Sequence, residues 1–77
     1  MPQTLLQLSI KQSLEQYFAA LEDEPVTGVY RMVLEEVEPV VIATALAQVN
    51  QNQSKAAMIL GMNRGTLRKK MQQYGLL

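Results

Sequence analysis

The sequence predicts an all-α protein of four helices whose last two form a helix-turn-helix. Two observations carry this. Apolar residues recur at steps of three and four through residues 4–49, the period of a helix. Residues 52–74, NQSKAAMILGMNRGTLRKKMQQY, then read as two short helices divided by Gly61 and Asn63. Glycine ends a helix because it alone enters the left-handed region without steric cost. Asparagine opens one by accepting a hydrogen bond from a free N–H of the first turn.

The first helix is expected over residues 4–22, with Leu6, Ile10, Leu14, Phe18 and Leu21 forming an apolar stripe beside Tyr17. Either Thr4 with Gln7 or Ser9 with Gln12 serves as its opening capping box. Asp23-Glu24-Pro25 stops it, since proline disfavours helix in the residue before it.

Thr27 is the expected cap of the second helix, which extends to about Val49. Pro39 lies within it and cannot donate to the Glu35 carbonyl, so a kink is expected there; the alternative is that Pro39 divides two helices. Val29, Met32, Val33, Leu34, Val37, Val40, Val41, Ile42, Ala45, Leu46 and Val49 wrap most of its circumference. A helix apolar nearly all round is buried nearly all round. Three short neighbours cannot cover it, whereas a second copy of the chain can, so a homodimer is expected.

Residues 48–53 are a polar connection, and the helix-turn-helix follows at about 53–60 and 64–73. Ala56 and Ala57 offer a small-residue face that lets the next helix cross closely. Leu67, Met71 and Tyr74 share one face of the last helix. The five methionines, Met1, Met32, Met58, Met62 and Met71, read as core fillers.

At 77 residues the chain is one domain at most, spanning 1–77, with dimerisation helices over about 4–49 and the helix-turn-helix over about 52–77. Its zero net charge hides a split. Met1 to Glu38 holds seven acids against Lys11 and Arg31, a net charge of −5. Pro39 to Leu77 holds no acid and five bases, Lys55, Arg64, Arg68, Lys69 and Lys70, a net charge of +5. One half can approach a polyanion while the other points away. Without cysteine or histidine, and without a glycine-rich phosphate loop, no enzyme, cofactor or metal site is expected. No apolar run approaches a membrane span, and the N-terminus lacks a basic-then-apolar signal pattern, so a cytoplasmic location is expected.

A cationic helix braced by a second at a steep angle is how proteins reach into a DNA major groove. Arg64, Thr66 and Arg68 lie opposite the buried face near the helix start, where such helices meet base edges. Arg64 is placed to pair with guanine O6 and N7. Asn63 either reaches a base or simply caps. Arg68, Lys69 and Lys70 lie along the phosphates; the bland alternative is a solvated cationic helix end. Asn52 and Ser54 open the first helix of the motif, whose N–H groups suit a phosphate. Gly65 either admits the DNA backbone closely or is incidental.

NQSKAAMILGMNRGTLRKKMQQYG resembles the C-terminal signature of the Fis family of bacterial nucleoid-associated proteins, and SIKQSLEQYFAALE and VYRMVLEEVEP resemble that family's first two helices. The signature also closes many enhancer-binding activators of the nitrogen-regulator type. The resemblance implies a homodimer with an intertwined two-helix core and two helix-turn-helix units on one side, set closer than one turn of straight B-DNA, so that the duplex must bend. It places DNA contacts on Asn52, Ser54, Asn63, Arg64, Thr66, Arg68, Lys69 and Lys70. It locates the chain at the bacterial nucleoid and admits RNA polymerase or other DNA-bound proteins as further partners.

Three features depart from the family pattern. Asn50 and Gln51 stand where a basic residue and a glycine usually precede the NQ, and Gln72 and Gln73 stand where lysines are common. Only Met1 to Leu5 precede the apolar stripe, a reach of at most about 18 Å. The family's stimulation of recombinases is attributed to a longer N-terminal arm, so DNA binding without that activity is expected. The rival reading is a protein-interaction and dimerisation module like the detached C-terminal domain of a nitrogen-regulator-type activator.

Overall fold

The computed structural model describes residues 3–21 and 25–77. They form α1 (Leu5–Leu21), α2 (Val29–Gln48), α3 (Gln53–Leu60) and α4 (Arg64–Gln73), with no strand among them. None of these helices is long and apolar enough to cross a membrane.

Thr4 and Gln7, not Ser9 and Gln12, open α1. The Thr4 amide donates to Gln7 Oε1 at 3.0 Å, and the Gln7 amide donates to Thr4 Oγ1 at 3.1 Å. That exchange satisfies two amides the helix would otherwise leave free. No α1 residue is fully buried; Ile10, Leu14 and Leu21 are half-buried. The expected stop at Asp23-Glu24 and the final residue Glu22 lie outside the described residues.

Thr27 does not cap α2. Gly28 takes that position at φ +73°, with no side-chain cap bond, and its carbonyl accepts the first helical amide, Met32 N–H, at 3.1 Å. A left-handed entry excludes the extended backbone that a threonine cap uses, and it leaves Thr27 one residue outside. The helix runs unbroken through Pro39, so the two-helix alternative is not realised.

The core is the helix-turn-helix folded onto the C-terminal half of α2. Ile42, Leu46, Ala56, Ala57, Leu67 and Met71 form its buried cluster, ringed by Val49, Leu60, Met62, Tyr74 and Leu76. Ala56 and Leu67 are both fully excluded from solvent. The small face of α3 and Leu67 of α4 thus share one buried cluster. One methionine reading fails: Met58 is 77% exposed. Burying Ala56 and Ala57, with Leu60 half-buried beside them, turns Met58 and Ile59 outward on a helix of 3.6 residues per turn. Met1 lies outside the described residues.

Within one chain α2 buries only Ile42, Ala45 and Leu46. Tyr30, Leu34, Val40 and Val41 stay exposed along it. A groove of about 550 Å³ runs between α1 and α2, lined by Ile10, Leu14, Tyr17, Val33, Val37 and Val41 among others.

The α2–α3 connection stores strain. Asn50 and Gln51 are both left-handed, at φ +53° and +67°. Asparagine tolerates this region, but glutamine pays about 1 kcal/mol against its Cβ. The turn persists because the Gln51 amide donates to the Leu46 carbonyl at 2.8 Å and the Asn52 amide to Val49 at 3.0 Å. Gln51→Gly is expected to stabilise the protein by roughly 1 kcal/mol, read as a higher urea midpoint. An unchanged or lower midpoint would show that the turn is not strained.

Candidate nucleic-acid interface

Two asparagine caps and one glycine turn build the helix-turn-helix. Asn52 Oδ1 accepts the Lys55 amide at 3.1 Å, and Asn63 Oδ1 accepts the Thr66 amide at 2.8 Å. Between them Gly61 is left-handed at φ +74°. Its amide donates to the Met58 carbonyl at 3.1 Å, and the Met62 amide to Ala57 at 3.0 Å. This paired closure satisfies the last carbonyls of α3 and reverses the chain in few residues. Asn63 is thus a cap by geometry, and its side-chain oxygen is already engaged.

α4 divides by face. Leu67 and Met71 are buried against α2 and α3, while Arg64, Arg68 and Lys69 are exposed and Thr66 is half-buried. Asn52, Ser54 and Lys55 are exposed at the start of α3. The two groups are tied together: Arg68 Nη1 donates to Gln53 Oε1 at 3.0 Å. The N-terminus of α3 therefore adjoins the cationic face of α4. No sequence motif marks Gln53 as part of this surface. Its signal is position alone, immediately after the Asn52 cap.

Gly65 offers no side chain on the open face. A Cβ there would meet only Asn63 Oδ1, at 3.4 Å, so the fold itself does not require glycine at this position.

Lys70 behaves differently from its neighbours. Its Nζ lies 2.8 Å from Glu38 Oε2 of α2, and Tyr74 OH donates to Oε1 of the same carboxylate. From sequence, Lys70 is expected with the phosphates, Tyr74 in the core and Glu38 on a half that points away. No spacing in EEVEP distinguishes the one acid that meets α4.

The hydrogen bonds from Lys70 and then Tyr74 hold the Glu38 carboxyl below its ordinary 4.5. The hydrogen bond to Glu38, followed by desolvation, pushes the Tyr74 hydroxyl from 10.0 up to about 12. Glu38 therefore contributes stability above its unfolded value, lost as pH falls through the depressed folded one. Tyr74 contributes stability fully present below its unfolded value of 10.0 and lost as pH rises toward about 12. Tyr74→Phe is expected to lower the urea midpoint at pH 8, with the gap to wild type closing between about pH 10 and 12. A gap constant across that window would show that the hydroxyl is not coupled to folding.

A short helix pair turned at Gly61, with one helix seated in the core and its other face open and cationic, defines a helix-turn-helix protein. The family described as bacterial regulatory protein, Fis family, matches residues 33–74. A Fis-like protein of Neisseria meningitidis serogroup B is 51% identical over 79 aligned positions that cover all of both chains. A Fis-like protein of Pseudomonas aeruginosa is 55% identical over 69 residues, 90% of this chain and 66% of that one. The DNA-binding protein Fis of Actinobacillus succinogenes is 46% identical over 71 residues, 92% of this chain and 72% of that one. The chain belongs to the Fis family, a family of regulators and not of enzymes.

Proposed function

We propose that this chain binds duplex DNA as a homodimer, bends it, and acts in the bacterial cytoplasm as a nucleoid-associated architectural protein and transcription regulator. The observation that carries the reading is the open face of α4, where Arg64, Arg68 and Lys69 are exposed beside the capped N-terminus of α3. Arg64 reads a base edge, with Thr66 and the cap Asn63 beside it. Arg68 and Lys69 lie on phosphates, and Asn52 and Ser54 receive a phosphate at the α3 N-terminus. The names of relatives such as DNA-binding protein Fis support the partner.

The homodimer rests on α2, whose exposed Tyr30, Leu34, Val40 and Val41 need a cover that one chain does not supply. In this division residues 4–49 dimerise and 52–77 bind DNA within one domain. Bending follows if the dimer holds its two α4 helices closer than one turn of straight B-DNA.

Fluorescence anisotropy with duplex DNA at two salt concentrations tests the core of the proposal. If Lys55, Arg68 and Lys69 of each subunit meet phosphates, a dimer neutralises roughly six, for a log–log salt slope of about −5. No binding at low salt would overturn it. A stable dimer that ignores DNA would point instead to a protein-interaction module. Sedimentation at micromolar protein tests the assembly, and a folded monomer there would overturn the dimer.

A further inference from the structure

Both oxygens of one carboxylate on α2 are occupied by α4. Glu38 Oε2 takes Lys70 Nζ at 2.8 Å, and Oε1 takes the Tyr74 hydroxyl. Lys70 in the last turn of α4 and Tyr74, the cap that follows it, are four residues apart, so this carboxylate clamps the C-terminal end of the helix to α2. The side chains of Lys70 and Glu38 are 30% and 33% exposed, so the pair lies at the margin of the fold and not deep inside it. Lys69 beside it is exposed, and no acid among the described residues pairs with it.

We propose that Glu38 is a positioning residue that stands in for a DNA phosphate: it holds Lys70 against α2, sets the tilt of α4 and withholds that cation from the duplex. The inference rests on the DNA-binding reading above. A carboxylate and a phosphate compete for the same ammonium. Moving Lys70 to DNA breaks a charge-assisted bond of ordinary length and leaves an anion facing the duplex. Two neighbouring lysines therefore do different work: Lys69 counts as a phosphate contact and Lys70 as a brace.

The salt slope of duplex binding separates these roles, because it counts neutralised phosphates and a purely structural brace does not move it. Four variants are compared with wild type by anisotropy: Lys69→Ala, Lys70→Ala, Glu38→Gln, and Glu38→Gln combined with Lys70→Ala. Lys69→Ala is expected to make the slope shallower by about 1.8 for a dimer, at ~0.9 per phosphate. Lys70→Ala alone leaves the slope unchanged. Glu38→Gln, which keeps an acceptor for Tyr74, frees Lys70 and steepens the slope by about 1.8. Adding Lys70→Ala to it removes that gain.

A wild type that shows no salt-dependent binding sinks the DNA-binding reading itself. With wild type binding and Lys69→Ala behaving as stated, the remaining arms judge Glu38 alone. Lys70→Ala lowering the slope as Lys69→Ala does would make Lys70 an ordinary phosphate contact. A steeper slope that survives in the double variant would make Glu38 a general repulsive charge. Either result overturns the proposal, as does an unchanged slope in Glu38→Gln. The Lys70→Ala arm decides the matter even if Glu38→Gln fails to fold, which circular dichroism reports.

Discussion

Arg64→Ala is expected to weaken specific DNA sites far more than random duplex. Arg64 occupies the first position of α4, directly after the Asn63 cap, and is exposed. A recognition helix presents that end to base edges, and a lost bidentate guanine contact costs about 1–3 kcal/mol per half-site. Two half-sites on a dimer compound it to about thirtyfold at the least. Lys69→Ala, five residues further along α4 and likewise exposed, removes a contact that carries no sequence information and should weaken all sequences alike. Competition binding with a preferred site and random DNA checks both. Equal proportional losses for the two variants on both DNAs would refute the division between reading and anchoring.

Leu67→Ala should have the largest effect on stability. Leu67 of α4 is fully buried in the same core cluster as Ala56 of α3, itself fully buried. Neither Ala56 nor Ala57, both in the same buried cluster, can swing into the space left, because a methyl side chain has no rotamers. A buried Leu→Ala change costs about 2–5 kcal/mol. A chain of this size holds about 4–12 kcal/mol in all. The expected outcome is a helix-turn-helix that no longer docks on α2, a large fall in the urea midpoint, and loss of DNA binding. Leu67→Met conserves volume and should cost below about 1.5 kcal/mol. A wild-type midpoint for Leu67→Ala would mean that this cluster does not hold the fold together.

The bounds of α3 and α4 were readable because their signals are local. Asn52, Gly61 and Asn63 act on amides and carbonyls within four residues, so each cap works wherever the rest of the chain lies. Thr27 misled because threonine is a good cap only from extended backbone, and Gly28 offered a left-handed alternative that composition alone does not rank. Met58 misled because residue type suggests burial while the helical face decides it. The capping box of α1 was narrowed to two pairs by spacing and settled by geometry at Thr4 and Gln7.

Sequence alone determined the four helices, the Gly61–Asn63 turn, the open cationic face of α4 and the membership of the Fis family. These depend on near neighbours, on helical period or on a motif read in order. The tertiary structure alone decided which charges meet. Glu38 lies 32 residues before Lys70 in sequence, and Gln53 lies 15 before Arg68. Their pairing depends on how α2 and α3 pack against α4, because an ion pair is set by distance in space. Of two adjacent lysines with the same local sequence signal, that packing leaves Lys69 open and turns Lys70 inward to Glu38.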